Sequence, residues 1–310
     1  MSTGLHSDLP ARAKVSIYLL FGIAVALAPR AAAAESITVG LFAPSAPFPS
    51  TAARVELASK LAAQIGKDTG AVANSKVYAR SGDFAAAVKS GDVTVALVDA
   101  AYLAAAGGNY TVIAGAVRGG ETTHGWQLVA RGADKIAALR GKHVLVPAVG
   151  GREIDFVVDV LLGGEVARDY FAKIEAAPDT ASALAALALG KADAAIVPDG
   201  VDLPAGTTSI LTLPALSGPV LVAFGSPSAA RKAQLAASAA AFAGDATVAS
   251  LRPADAESVR AIVRRFSPPA KRGPLAIPAI HVLVGDLVAG RTFSIERTPA
   301  TAFVVAPAAH

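Results

Sequence analysis

Apolar residues in this chain fall into short continuous runs and longer stretches of helical spacing, and the two kinds alternate. Residues 135–198 show it most plainly. Ile136 and Leu139 form an apolar turn, followed by Gly141 where a left-handed helix C-cap wants glycine. Val144, Leu145 and Val146 run into Pro147 and predict a buried strand. Gly150 and Gly151 then open a helix with Ile154, Val157, Val158 and Leu161 on its inner face. A weak strand follows at 173–175. Asp179 or Thr180 caps the next helix, Leu184 and Leu187 face inward, Gly190 stops it, and 194–197 is a last strand. Strands alternating with helices of this length predict crossover units and a mainly parallel sheet.

The same alternation extends in both directions. Strands are expected at 37–42, 76–79, 93–98 and 111–117. Thr51 caps a helix with Val55, Leu57, Ala58, Leu61 and Ile65 inward, and Asp83 caps a short one. Residues 119–124 are polar and irregular, and a strand at 126–130 leads into the central stretch. Further on, strands at 209–213 and 220–224 flank a proline-glycine connector. Ser226 caps a helix carrying Leu235 and Phe242. Pro253 starts another, with Ala256, Val259, Ile262, Val263 and Phe266 inward. Three short β segments are expected at 280–284, 291–295 and 302–305. Crossings at 119–125 and 212–218 divide the chain into one lobe of residues 35–118 and 218–310 and another of 119–217, a layout that permits hinge closure.

Composition narrows the classes. With 310 residues, 53% of them hydrophobic and 17% charged, the chain can bury a large core. The first 34 residues read as a cleaved secretory signal: Arg12 and Lys14, an apolar run at 15–28, then small residues at 31–34. Cleaved or kept as an anchor helix, it places the body in an extracytoplasmic compartment. Cysteine is absent, which excludes disulfides, thiolate metal sites and cysteine nucleophiles. The net charge of +4 comes without a basic run, which argues against nucleic acid. The five histidines have no metal-binding spacing, no nucleophile elbow occurs, and Gly150-Gly151 is not a dinucleotide fingerprint. No enzyme activity, cofactor or metal is therefore expected. His143 reads as a solvated strand-edge residue, and Asp155 and Asp159 as solvent-facing carboxylates without partners.

In open α/β sheets ligands sit outside the carboxyl ends of strands, where helix N-termini point. That rule selects Ser45, Arg80, Ser81, Asp99 and Tyr102 in the first lobe, Thr123 and His124 at the crossing, and Gly150, Gly151, Arg152 and Asp199 in the second. The expected anion site is Arg152 with the Gly150-Gly151 amides, faced by Arg80 or Tyr102.

Two segments, ALRGKHVLVP at 138–147 and ALALGKADAAIVP at 186–198, carry a family resemblance. In that order and at that separation they resemble the second lobe of type 2 periplasmic solute-binding proteins, in the phosphonate-binding and sulfonate- or nitrate-binding branches. Tyr102 matches a family tyrosine after the third strand. The resemblance implies a two-lobed α/β fold, each lobe a mainly parallel sheet flanked by helices, with two hinge crossings. It also implies a monomer that carries a small, anionic ligand of phosphonate, sulfonate or carboxylate type to an ABC permease. This chain departs from the phosphonate-binding pattern at two places. The hydroxyl cluster of those relatives is replaced at 149–152, and their helix-start histidine is Thr180 here. The alternatives are a ligand sensor or accessory protein of the same fold, or an enzyme built on it.

Overall fold

The computed structural model describes residues 36–266. The signal expected at 1–34 and the β segments expected beyond residue 280 lie outside the described residues. The chain opens with β1 (Ser36–Phe42), α1 (Thr51–Thr69), β2 (Val72–Val77), α2 (Ser81–Ser90), β3 (Val95–Asp99), α3 (Ala100–Ala106) and β4 (Tyr110–Val117). A second set follows: β5 (Thr123–Arg131), β6 (His143–Pro147), α4 (Glu153–Asp155), β7 (Lys173–Ala177), α5 (Thr180–Ala188), β8 (Ala194–Pro198) and β9 (Thr207–Ser217). The chain then returns through β10 (Pro219–Phe224), α6 (Ala229–Ala241), β11 (Ser250–Pro253) and α7 (Glu257–Phe266).

The strands form two sheets, ordered β11-β4-β10-β3-β1-β2 and β7-β6-β8-β5-β9. Each sheet is mixed, where the alternation predicted mainly parallel pairing. β1 pairs parallel with β2 and β3, and β6 with β7 and β8. The remaining pairs are antiparallel. The reason lies in the crossings. β5 and β9 are themselves the connecting strands, so they run side by side with Thr123 opposite Ser217. The Gly218 amide donates to the Thr122 carbonyl at 2.9 Å. The proline-glycine connector expected at 212–218 is thus mostly strand.

Several local expectations shift. Ser50 rather than Thr51 caps α1, accepting from the Ala53 amide, and Ser228 rather than Ser226 caps α6, accepting from the Arg231 amide. Asp83 sits in the first turn of α2 instead of capping it. The helix after Gly151 has one α turn and then widens into a π turn over Phe156–Leu161, which leaves Ile154 exposed. Val55 and Val263 are exposed as well. His143 is not on an edge: β6 lies between β7 and β8, and its Nε2 sits 3.0 Å from the Glu175 carboxylate. Asp155 and Asp159 do have a partner, since Arg168 bridges them at 2.5 and 2.6 Å.

One buried cluster spans both lobes. It joins Phe42, Phe84 and Tyr102 from the first to Leu128, Trp126 and Phe156 from the second, with Val259, Ile262 and Phe266 of α7. The Phe156 and Phe266 rings stack at 6.2 Å, so the last helix ties the second lobe to the first. Among the described residues no helix is long and apolar enough to cross a membrane.

Candidate ligand-binding cleft

Residues just after β1, β2 and β3 meet residues at or just after the ends of β6, β7 and β8: Pro44 meets Thr180, Tyr78 shares a cavity with Pro178, Tyr102 packs on Gly150 and Ser45 shares a cavity with Pro198. The loop after β1 is anchored from below. The Ser45 amide and hydroxyl both donate to Asp99, at 2.7 and 2.8 Å. Burial pushes the Asp99 carboxyl up to about 6, against those two hydrogen bonds and the Arg54 charge. From above, the same loop is held by the start of α5. The Thr180 amide donates to the Pro44 carbonyl at 3.0 Å, and its hydroxyl to the Ser45 carbonyl at 3.0 Å. Beside this contact Arg54 pairs with Asp179 at 2.5 Å, with side chains only 13% and 15% exposed. Asp179 also caps α5 by accepting from the Ser182 amide. Burial would raise its pKa, but the Ser182 and Arg54 contacts together hold it below the usual carboxylate value.

Next to this loop lies a cavity of about 20 Å³ lined by Ser45, Pro47, Arg118, His124, Trp126, Pro198 and Ser217. That is space for roughly one water. Beside it lies a groove of about 870 Å³ that shares Pro47, Arg118 and Thr247 with it, a volume in the range of small-molecule sites. Arg118 follows β4 at the first crossing. Its guanidinium is 3.4 Å from Asp199, a long and weak pairing, and burial draws its pKa below the ordinary arginine value despite that carboxylate. Burial, and then the Arg118 charge, likewise lower the His124 pKa, so this imidazole is neutral at neutral pH. Asp199 rests on Gly125, where the β5–β9 register shifts. A Cβ at Gly125 would lie 2.6 Å from the Asp199 carboxylate, so a larger residue there would push that side chain aside.

The structure brings Ser45, Asp99, Tyr102, His124, Gly150 and Asp199 to this interlobe region, leaves Thr123 exposed on the crossing strand beside it, and places the other expected residues apart. The side chain of Arg80 is 82% exposed and pairs with Asp83. Ser81 begins the same exposed turn. Arg152 pairs with Asp155 at 2.9 Å and lies over the Phe266 ring at 4.5 Å. Of the two amides expected to hold an anion, that of Gly151 is already engaged: it donates to the Glu153 carboxylate at 3.1 Å, as the Val149 amide does at 3.0 Å. Gly150, at φ +90°, lets Tyr102 approach so closely that a Cβ there would meet its ring at 2.9 Å. Tyr102 packs edge-on against Phe42 at 4.8 Å and acts as an interlobe contact.

Arg118, Trp126, Ser217, Arg54 and Asp179 were not singled out as site residues. Arg118 offered one signal, its position as the last residue before the polar crossing. Arg54 offered none, because the helical pattern of α1 turned its neighbour Val55 inward instead.

No family model and no curated protein matches the sequence. Solved structures do. A binding protein component of an ABC phosphonate transporter from Pseudomonas aeruginosa superposes with TM-score 0.60 at 13% identity, over 75% of this chain and 85% of that one. PhnD1 from Prochlorococcus marinus in complex with methylphosphonate gives 0.60 at 11%, over 74% and 97%. A Xanthomonas citri protein bound to ATP gives 0.58 at 11%, over 75% and 97%. With its two sheets, paired crossing strands and facing strand ends, the chain has the two-lobed α/β fold of type 2 periplasmic solute-binding proteins.

Proposed function

We propose that this protein is a periplasmic solute-binding protein, exported by a cleaved signal, that captures a small anionic molecule between its lobes for an ABC importer. The supporting observation is the interlobe cavity beside the two crossings, where the half-buried Arg118 guanidinium makes a long 3.4 Å pairing to Asp199. A half-buried guanidinium whose carboxylate partner is weakly held gains most from a ligand oxygen. His124 and the Ser45 hydroxyl add polar contacts and Trp126 an apolar wall, a composition suited to binding and orienting rather than to proton transfer on a substrate. The lobes part to admit the ligand through the groove and close around it, because only the closed form brings both lobes against it.

The test is a thermal-shift screen of phosphonates, sulfonates and carboxylates at constant ionic strength, followed by calorimetry. A charged arginine hydrogen bond contributes about 1.5–3 kcal/mol. Arg118→Ala should therefore weaken the bound anion about 10- to 100-fold. Unchanged affinity would remove Arg118 from the site.

A further inference from the structure

A second, smaller cavity lies on the other side of the Pro44–Ser45 contact. It measures about 10 Å³, space for roughly one oxygen atom or water. Its walls come from both lobes: Leu41 and Val77 from β1 and β2, Tyr78 just after β2, Arg54 from the first turn of α1, and Pro178 just after β7. Two polar atoms of this wall are buried without a hydrogen-bond partner, the Arg54 Nε and the Tyr78 hydroxyl. Tyr78 is 7% exposed. Buried polar groups are nearly always paired, and leaving two unpaired in one cavity is costly. Both are donors, and the guanidinium is cationic. The group that satisfies them together is an acceptor with negative charge.

We propose that Arg54 and Tyr78 form a subsite for an oxyanion group of the ligand, and that Asp179 occupies the same guanidinium when no ligand is present. The inference rests on the binding-protein reading and deepens it by adding, apart from the Arg118 position, a second place where a ligand oxygen docks. Arg54 already spends one nitrogen on Asp179 across the lobe boundary. An entering phosphonate, sulfonate or carboxylate oxygen takes Nε and the Tyr78 hydroxyl and competes with Asp179 for the charge. Asp179 thus sets a threshold: weakly charged ligands do not displace it, whereas a doubly charged oxyanion does. No sequence pattern marks this pair, because Tyr78 reads as strand and Arg54 as helix surface.

The experiment is calorimetric and thermal-shift titration of the purified chain with inorganic phosphate, sulfate and methylphosphonate, against chloride at equal ionic strength. Wild type should bind at least one of them. Tyr78→Phe and Arg54→Gln should each weaken it about 10- to 100-fold. Asp179→Asn keeps the cap oxygen on Ser182 but frees the guanidinium, and should tighten the anion about tenfold. Tyr78→Phe removes a single hydroxyl, so it remains informative if Arg54→Gln does not fold. Equal anion affinity in wild type, Tyr78→Phe and Asp179→Asn would overturn the subsite. If Arg118→Ala abolished binding in that same case, the cleft reading would stand without it. Failure of wild type to bind any of the three would also overturn the proposal and leave the cavity to an internal water.

Discussion

Asp99 is a carboxylate buried at 2% exposure and satisfied by one residue, Ser45. Folding raises its pKa from 3.8 to about 6, chiefly through burial. A raised carboxyl pKa means the folded state holds the proton better than the unfolded one. Its contribution to stability is therefore fully present below pH 3.8 and lost as pH rises through about 6. The shift corresponds to roughly 3 kcal/mol. Denaturant titrations between pH 4 and 8 should show wild type losing more stability across that window than Asp99→Asn; parallel profiles would mean that Asp99 does not titrate there. Gly150 makes a second residue-scale case. Alanine at φ +90°, with its Cβ 2.9 Å from Tyr102, should cost about 1–3 kcal/mol in chemical denaturation. A neutral outcome would show that Tyr102 moves aside freely.

At the scale of elements, helix α7 carries the clearest consequence. Phe266 packs on Phe156 of the second lobe while Val259 and Ile262 share the same cluster with Tyr102 of the first. Phe266→Ala should destabilise by about 3–5 kcal/mol and remove the Arg152 contact with the ring. Equilibrium unfolding measures the loss, and a change below about 1 kcal/mol would mean that α7 adds little to the shared core. The elements were legible because apolar periodicity reports burial: β1, β6, β8 and the inward faces of α1, α5 and α6 follow from it. Sheet handedness of pairing was less legible, since β5 and β9 pair through the crossings and no local pattern encodes which partner a strand meets. The site was legible only as a region. Ser45, Asp99 and His124 follow from the strand-end rule, but Arg152 looks the same in sequence whether it faces a ligand or Phe266. Glu153 likewise gives no sign that it fills the amides before it. Arg54 and Asp179 are 125 positions apart, and only the closed approach of the lobes makes them partners.

At the largest scale, among the described residues, the two lobes are held together by Arg54–Asp179, Thr180 on the Pro44–Ser45 loop, and Tyr102 on Gly150. These contacts are made by the chain's own residues across the lobe boundary, so a ligand between the lobes supplies only part of the free energy that holds them together. The residual space of about 20 Å³ beside Arg118 must then widen to admit a molecule of several atoms, through the groove it shares with Pro47 and Thr247. The central claim is capture of one small anion in that space. Native mass spectrometry of the chain, purified without unfolding, tests it most directly. The account predicts a population carrying one small acidic molecule per chain, lost from Arg118→Ala isolated in the same way. A wild-type chain that carries nothing and gains no adduct from any offered phosphonate, sulfonate or carboxylate would contradict it.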